Sequence, residues 1–249
     1  MQYGICNLSI VPVRIQPADA SEMVTQLLYG EYFKVLEERG KWSRIRIAFD
    51  SYEGWIDNRQ YFKVEEAVYF DLSYEERKYS ADLIEFLTDE TQGLTTIPLG
   101  SVLNSNEPLK NTFDGSSISG VKEKTNLVNT ALLYLNAPYM WGGKTPFGID
   151  CSGLTQMVYM LNGYSLLRDA SQQATQGEAL SFIEESEPGD LAFFDNAEGK
   201  ITHVGIIMQD NYIIHVNGKV RIDRIDHSGI FNTELKRHTH QLRVIKKII

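Results

Sequence analysis

Apolar and polar positions change their rhythm twice along the chain. Near the N-terminus the runs are short. Ile10-Val11-Pro12-Val13-Arg14, 24–31, 32–36 and Trp42-Ser43-Arg44-Ile45-Arg46-Ile47 are β-branched or alternating, with turn residues at Gly30 and Glu38-Arg39-Gly40-Lys41 between them. Alternation with period two marks a half-buried strand. With Gly54-Trp55-Ile56 closing the set, the pattern predicts a small β-barrel over residues 1–60. Between 61 and 120 the signal weakens. Tyr79, Leu83, Phe86 and Leu87 fall at helical spacing and predict a helix within 74–88. The stretch 95–103 reads as strand and turn, and 104–120, rich in Asn, Ser, Gly and Pro, as a connecting segment. A second, degenerate barrel module plus linker and a helical insert plus linker both fit this region.

From Val121 the period lengthens. Leu127, Ala131, Leu132 and Leu135 predict an amphipathic helix ending before Pro138, because a residue preceding proline is driven out of the helical region. Leu154, Met157, Val158 and Leu161 predict another, stopped at Gly163. Strands are predicted at 191–194, 203–208, 212–216, 220–225 and 242–249. Helices followed by strands imply an α+β domain over 121–249, helices packed on an antiparallel sheet.

Composition narrows the function. The 249 residues carry 33 acidic and 24 basic side chains, a net charge of −9, and no basic run is longer than a pair such as Lys246-Lys247. A nucleic-acid partner is therefore not expected. With 43% hydrophobic and 23% charged residues the chain is not of a disordered class. No run approaches the ~18–20 apolar residues that span a bilayer, so no membrane span is predicted. The N-terminal segment lacks a basic region, and its apolar run breaks at Pro12 and Arg14, unlike a signal peptide. The two cysteines, Cys6 and Cys151, read as free thiols in a reducing compartment. The expected location is cytoplasmic, or periplasmic or secreted if a leader has been trimmed.

The candidate chemistry centres on Cys151. It follows a Gly-rich loop, Tyr139-Met140-Trp141-Gly142-Gly143, and opens a predicted helix, where free N–H groups favour a thiolate. Asp150 and Ser152 beside it are N-capping residue types. Of five histidines, His203 and His215 lie on neighbouring predicted strands, joined by a turn at Gln209-Asp210-Asn211, so a hairpin would bring them side by side. One could then face the thiol while the other holds its second ring nitrogen, an arrangement of nucleophile, base and orienting group. The same three residues are nominally a Cys-His-His metal set, but no tight C-x-x-C or H-x-x-x-H spacing accompanies them, and neither metal nor cofactor is expected.

Those motifs carry a resemblance. The Tyr139 loop, Gly148-Ile149-Asp150-Cys151-Ser152-Gly153-Leu154, Pro188-Gly189-Asp190-Leu191, His203-Val204-Gly205-Ile206 and Tyr212-Ile213-Ile214-His215 stand in the order of the NlpC-type family of papain-like cell-wall cysteine peptidases, over 121–249. Leu28-Tyr29-Gly30-Glu31, the turn before Trp42, and Gly54-Trp55-Ile56 resemble the bacterial SH3 domain. The resemblance implies a papain-like catalytic domain preceded by one or two SH3-like modules. It implies Cys151 as nucleophile, His203 as base and His215 as its orienting group, with the Cys151 N–H and the Tyr139 hydroxyl holding the oxyanion. Members pairing such a barrel with Asp-Cys-Ser-Gly look like γ-D-glutamyl-L-diamino acid endopeptidases of the dipeptidyl-peptidase VI type. These cut stem peptides of peptidoglycan, L-Ala-γ-D-Glu from meso-diaminopimelate, in murein recycling. Their need for a free N-terminal ammonium implies a buried carboxylate, for which Asp150 is the candidate, with Glu31 and Tyr52 or Tyr61 from the barrel. Trp141, Ser152 and Ser171 are further implied substrate contacts; Ser171 is alternatively the N-cap of a short helix. A secreted wall hydrolase, an amidase or acyltransferase, or a wall-binding relic are the competing readings.

Overall fold

The computed structural model describes residues 2–249, and the chain divides after Gly120 into two compact units. In the first, seven strands form one antiparallel sheet: β1 (Gln2–Ile5), β2 (Ile10–Arg14), β3 (Met23–Leu28), β4 (Tyr32–Arg39), β5 (Trp42–Ile47), β6 (Glu53–Asp57) and β7 (Phe62–Val64), in the order β3-β2-β6-β5-β4-β1-β7. The alternation in β5 works as expected. Ser43, Ile45 and Ile47 turn inward, while Arg44 and Arg46 point out and pair with Glu53 on β6 at 2.6 and 2.7 Å. Val11, Val13, Leu27, Phe33, Ile45 and Ile56 fill the SH3-like barrel.

Next come α1 (Glu66–Tyr74), β8 (Lys78–Ser80), β9 (Ile84–Asp89), β10 (Leu94–Pro98), α2 (Asn106–Leu109), β11 (Asn111–Phe113) and β12 (Ser117–Ser119). The helix expected within 74–88 is not there: the helix ends at Tyr74, and β8 and β9 take its place. The physical reason is pairing. β9 bonds to β10 on one side and β11 on the other, which satisfies its backbone groups, and Leu87 enters a core with Tyr29, Ile97 and Leu103. The segment 104–120 is likewise not a plain connection. The Val102 N–H bonds to the Tyr29 carbonyl at 2.8 Å, and the Ser105 hydroxyl to the Gly30 carbonyl at 2.7 Å, so this stretch seals the turn of the barrel.

The second unit holds α3 (Asn126–Leu132), the hairpin β13 (Lys144–Thr145) and β14 (Gly148–Ile149), α4 (Cys151–Leu161), α5 (Ala170–Gln173) and β15 (Glu178–Leu180). The sheet strands β16 (Leu191–Asp195), β17 (Ile201–Ile207), β18 (Tyr212–Asn217), β19 (Lys219–Asp226), β20 (Gly229–Asn232) and β21 (Arg237–Lys247) follow. The order is β15-β21-β16-β17-β18-β19-β20, and β20 pairs with β21 as well, so six strands close on themselves. The long β21 makes that closure: its first half pairs with β20, its second with β16. α4 is buried at every residue from Ser152 to Leu161, against β17, β18 and α3. A helix so enclosed is mostly apolar, and its buried polar side chains are bonded: the Thr155 hydroxyl donates to Gln173 Oε1 at 2.7 Å and Gln156 Nε2 to the Leu166 carbonyl at 3.1 Å.

Candidate active site

The site is built on the first turn of α4. Asp150 caps it, accepting the Gly153 N–H at 2.6 Å. The same carboxylate accepts the Gly142 N–H at 2.8 Å and the Ser152 hydroxyl at 3.3 Å, and it meets the Arg168 guanidinium through both oxygens, at 3.0 and 2.7 Å. Arg168 is 1% exposed and also donates to the Ser152 hydroxyl at 2.9 Å. A side chain at position 153 would put its Cβ 2.3 Å from the Gly143 carbonyl oxygen. Asp-Cys-Ser-Gly is thus a geometric unit: an acid to cap, a glycine to admit the preceding loop, and the cysteine between them, half-buried at the first helical position.

The histidines come from the sheet. Gly205 faces His215 across the β17–β18 pair, which puts His203 and His215 diagonally on one face. Their rings meet at 2.9 Å, His203 Nε2 to His215 Nδ1. The row continues: His215 Nε2 lies 3.0 Å from Asp223 Oδ2, and Arg221 grips the Asp223 carboxylate through Nε at 2.7 Å and Nη2 at 2.9 Å. His240, from β21, stacks on the His203 ring with centroids 4.2 Å apart. Ring nitrogens of His203, His215 and His240 lie within 4.8 Å of one another. Both nitrogens of His215 and one of His203 are already engaged, so a metal ion there would have to break the row.

Backbone N–H groups of Val204 and Ser152 donate toward the Cys151 sulfur, so the thiol sits against the residue that follows His203. Burial, then the Asp150 charge, push the thiol up to about 12, against the opposing pull of the Val204 N–H, the Arg168 guanidinium and the Ser152 N–H. Burial, with His215 and His240 beside it, holds the His203 imidazole well below its ordinary 6.5. Both shifts run in the same direction, toward the uncharged thiol and the uncharged imidazole. Desolvation thus opposes the pull that the N–H groups at the helix N-terminus exert toward a thiolate.

The profile of the NlpC/P60 family matches residues 136–242, and that of the bacterial dipeptidyl-peptidase SH3 domain matches residues 13–60. A Bacillus subtilis protein named gamma-D-glutamyl-L-lysine dipeptidyl-peptidase is 30% identical over 212 residues, covering 77% of this chain and 71% of its own length. The chain belongs to the NlpC/P60 family. Dipeptidyl-peptidase 6 of Lysinibacillus sphaericus is 27% identical, over 85% of this chain and 87% of its own. A Bacillus cereus NlpC/P60 crystal structure shares the fold, with a TM-score of 0.77 over 99% of each chain at 18% identity. This NlpC/P60 protein is thus a cysteine peptidase with an N-terminal bacterial SH3 domain.

Within the family fold, Cys151, His203, His215, Asp150 and Ser152 lie in the catalytic unit as described. Tyr139, 44% exposed, has its hydroxyl pushed up by burial and by the Asp150 and Cys151 charges. Trp141 is exposed on the same loop. The Asp150 carboxylate accepts five hydrogen bonds, from Gly142, Ser152, Gly153 and both terminal nitrogens of Arg168. Ser171 is exposed in α5, whose N-cap is Asp169 with a capping box to Gln172, which corrects the alternative role for Ser171 as N-cap. In the N-terminal unit Glu31 is buried and accepts the Leu28 N–H at 2.7 Å. Tyr61 is a core residue, edge-on to Phe33 with its hydroxyl 3.0 Å from Ser43, and Tyr52 packs against the same core. The tyrosine that shares Glu31's electrostatic surroundings is instead Tyr79, with Arg77. Sequence reasoning missed Asp223, Arg221, His240 and the partnership of Arg168. Asp223 had a signal, the alternation Val220-Arg221-Ile222-Asp223 one hairpin beyond His215. Arg168 had none, since its partner lies 18 positions back across a loop.

Proposed function

We propose that this peptidase hydrolyses the amide bond between γ-D-Glu and an L-diamino acid in peptides with a free N-terminal L-Ala. The observation that carries the reading is the Cys151 thiol, bonded by the Val204 N–H, next to the row headed by His203. Two relatives named gamma-D-glutamyl-L-lysine dipeptidyl-peptidase support the bond and the dipeptide product.

In this reading the thiol proton passes to His203 as the sulfur attacks the carbonyl carbon. The negative charge on the carbonyl oxygen is met by the Cys151 N–H and the Tyr139 hydroxyl. His203 returns the proton to the leaving amine, the C–N bond breaks, and a thioester remains. Water, deprotonated by His203, then frees L-Ala-γ-D-Glu and restores the thiol. His215 holds His203 in place throughout.

The test is mass spectrometry of L-Ala-γ-D-Glu tripeptides ending in L-Lys or meso-diaminopimelate. Release of the dipeptide, its loss on N-acetylation of the alanine, and a drop of several orders of magnitude in Cys151→Ala support the proposal. Unchanged cleavage of the acetylated peptide overturns the free-terminus requirement. We assign the enzyme to recycling of released peptides in the cytoplasm, so it acts on free tripeptides and not on intact wall; release of product from intact sacculi would favour the wall-anchored alternative.

A further inference from the structure

The row beyond His203 has a direction, and its far end sets it. Burial alone would raise the Asp223 carboxyl, but the hydrogen bonds and charges of His215 and Arg221 outweigh it and hold the group below its ordinary value. A carboxylate only accepts hydrogen bonds, so the proton between it and His215 sits on His215 Nε2. A neutral imidazole carries one donor and one acceptor. His215 Nδ1 is then an acceptor, and the 2.9 Å contact requires His203 Nε2 to be the donor. The remaining nitrogen of His203, Nδ1, is left with a lone pair. Asp223 is itself held: it is 2% exposed, and Arg221, which occupies both its oxygens, is tied in turn to Glu234 at 3.2 Å.

We propose that Asp223, clamped by Arg221, is a positioning residue that orients every hydrogen bond in the row and so keeps Nδ1 of His203 free to take the Cys151 proton. The proposal rests on the catalytic reading of Cys151 and His203 given above. His215 alone does not supply this direction, because an imidazole with no fixed partner accepts or donates equally well at Nδ1. With Asp223 replaced by a neutral group, the row can reverse, and His203 then presents a proton where it must present a lone pair. Such a reversed tautomer is the known cost of removing the acid from a nucleophile–base–acid row.

The test is Asp223→Asn, of the same shape but able to donate as well as accept. kcat falls about 10- to 100-fold with KM little changed, as for loss of an outer orienting partner. Nitrogen-15 spectra of the wild-type protein show both His203 and His215 protonated at Nε2 and bare at Nδ1, and the variant populates the reversed form. Alkylation of Cys151 by iodoacetamide, followed by peptide mapping, slows by a comparable factor. This readout needs no substrate, so absence of γ-D-glutamyl cleavage would remove the proposed function without touching the inference. If Asp223→Asn does not fold, Arg221→Met loosens the carboxylate and moves the same three readouts in the same direction. A doubly protonated His215 at neutral pH, or a kcat loss with the tautomers and alkylation rate unchanged, overturns the proposal.

Discussion

At the scale of single residues, the site shows one side chain spent on holding another. Asp150 stands beside the nucleophile, yet its carboxylate is consumed by Arg168, two backbone N–H groups and Ser152. An ion pair this deeply buried gives modest net stability while intact, because both charges have lost their water. Breaking it is another matter. Arg168→Met leaves Asp150 charged without its counterion and is expected to cost about 3–5 kcal/mol. The measurement is the free energy of unfolding in urea, and Asp150→Asn added to that variant recovers part of the loss. A loss under about 1 kcal/mol, the scale of a surface pair, would show that the guanidinium is dispensable.

At the scale of elements, function depends on how closely two strands approach. His203 and His215 meet because Gly205 lies opposite His215 in the β17–β18 pair. A Cβ at 205 would stand 2.8 Å from the Ile213 side chain and 2.9 Å from His215 Cβ, closer than real contacts allow. Gly205→Ala therefore forces β17 and β18 apart or displaces His215. We expect about 1–3 kcal/mol of destabilisation and a fall in kcat larger than the change in KM. Thermal melts and steady-state kinetics check this; wild-type values for both would mean that the hairpin accommodates the methyl group. The same scale explains where helical spacing misled. Tyr79, Leu83, Phe86 and Leu87 satisfy a helix on paper, but β9 finds partners on both sides, and a strand with two partners wins over a weakly amphipathic helix.

At the scale of the whole molecule, acid is the informative variable. His240 is held down to about 4 by burial and by His215, while an unfolded histidine titrates near 6.5. Below 6.5 the unfolded chain gains a proton that the folded chain refuses, so stability falls as pH drops from 6.5 toward 4 and is unaffected by this group above 6.5. Asp223 and Asp226, whose carboxyls are held below 3.8, lose their contribution only at lower pH still. Melting temperatures across that window should decline, and His240→Phe, which keeps a ring against His203, should flatten the decline. A melting temperature constant down to pH 4 would contradict it. For activity, the depressed His203 keeps the base neutral through pH 6.5, so kcat/KM holds where an ordinary histidine would begin to lose it.

By itself the sequence determined the periodic elements and the short-range chemistry. The alternation in 42–47, the apolar run of α4 and the Asp-Cys-Ser-Gly turn are local, and local constraints such as side-chain period, capping and glycine clearance act between residues a few positions apart. The hairpin that brings His203 to His215 was legible for the same reason, since one short turn joins its strands. Only the tertiary structure decided what lies across gaps in the chain: Arg168 on Asp150, His240 stacked on His203 from β21, the closure of the sheet through β20 and β21, and the burial that pushes the Cys151 thiol up. Desolvation and charge pairing depend on distances in space that no spacing along the chain encodes.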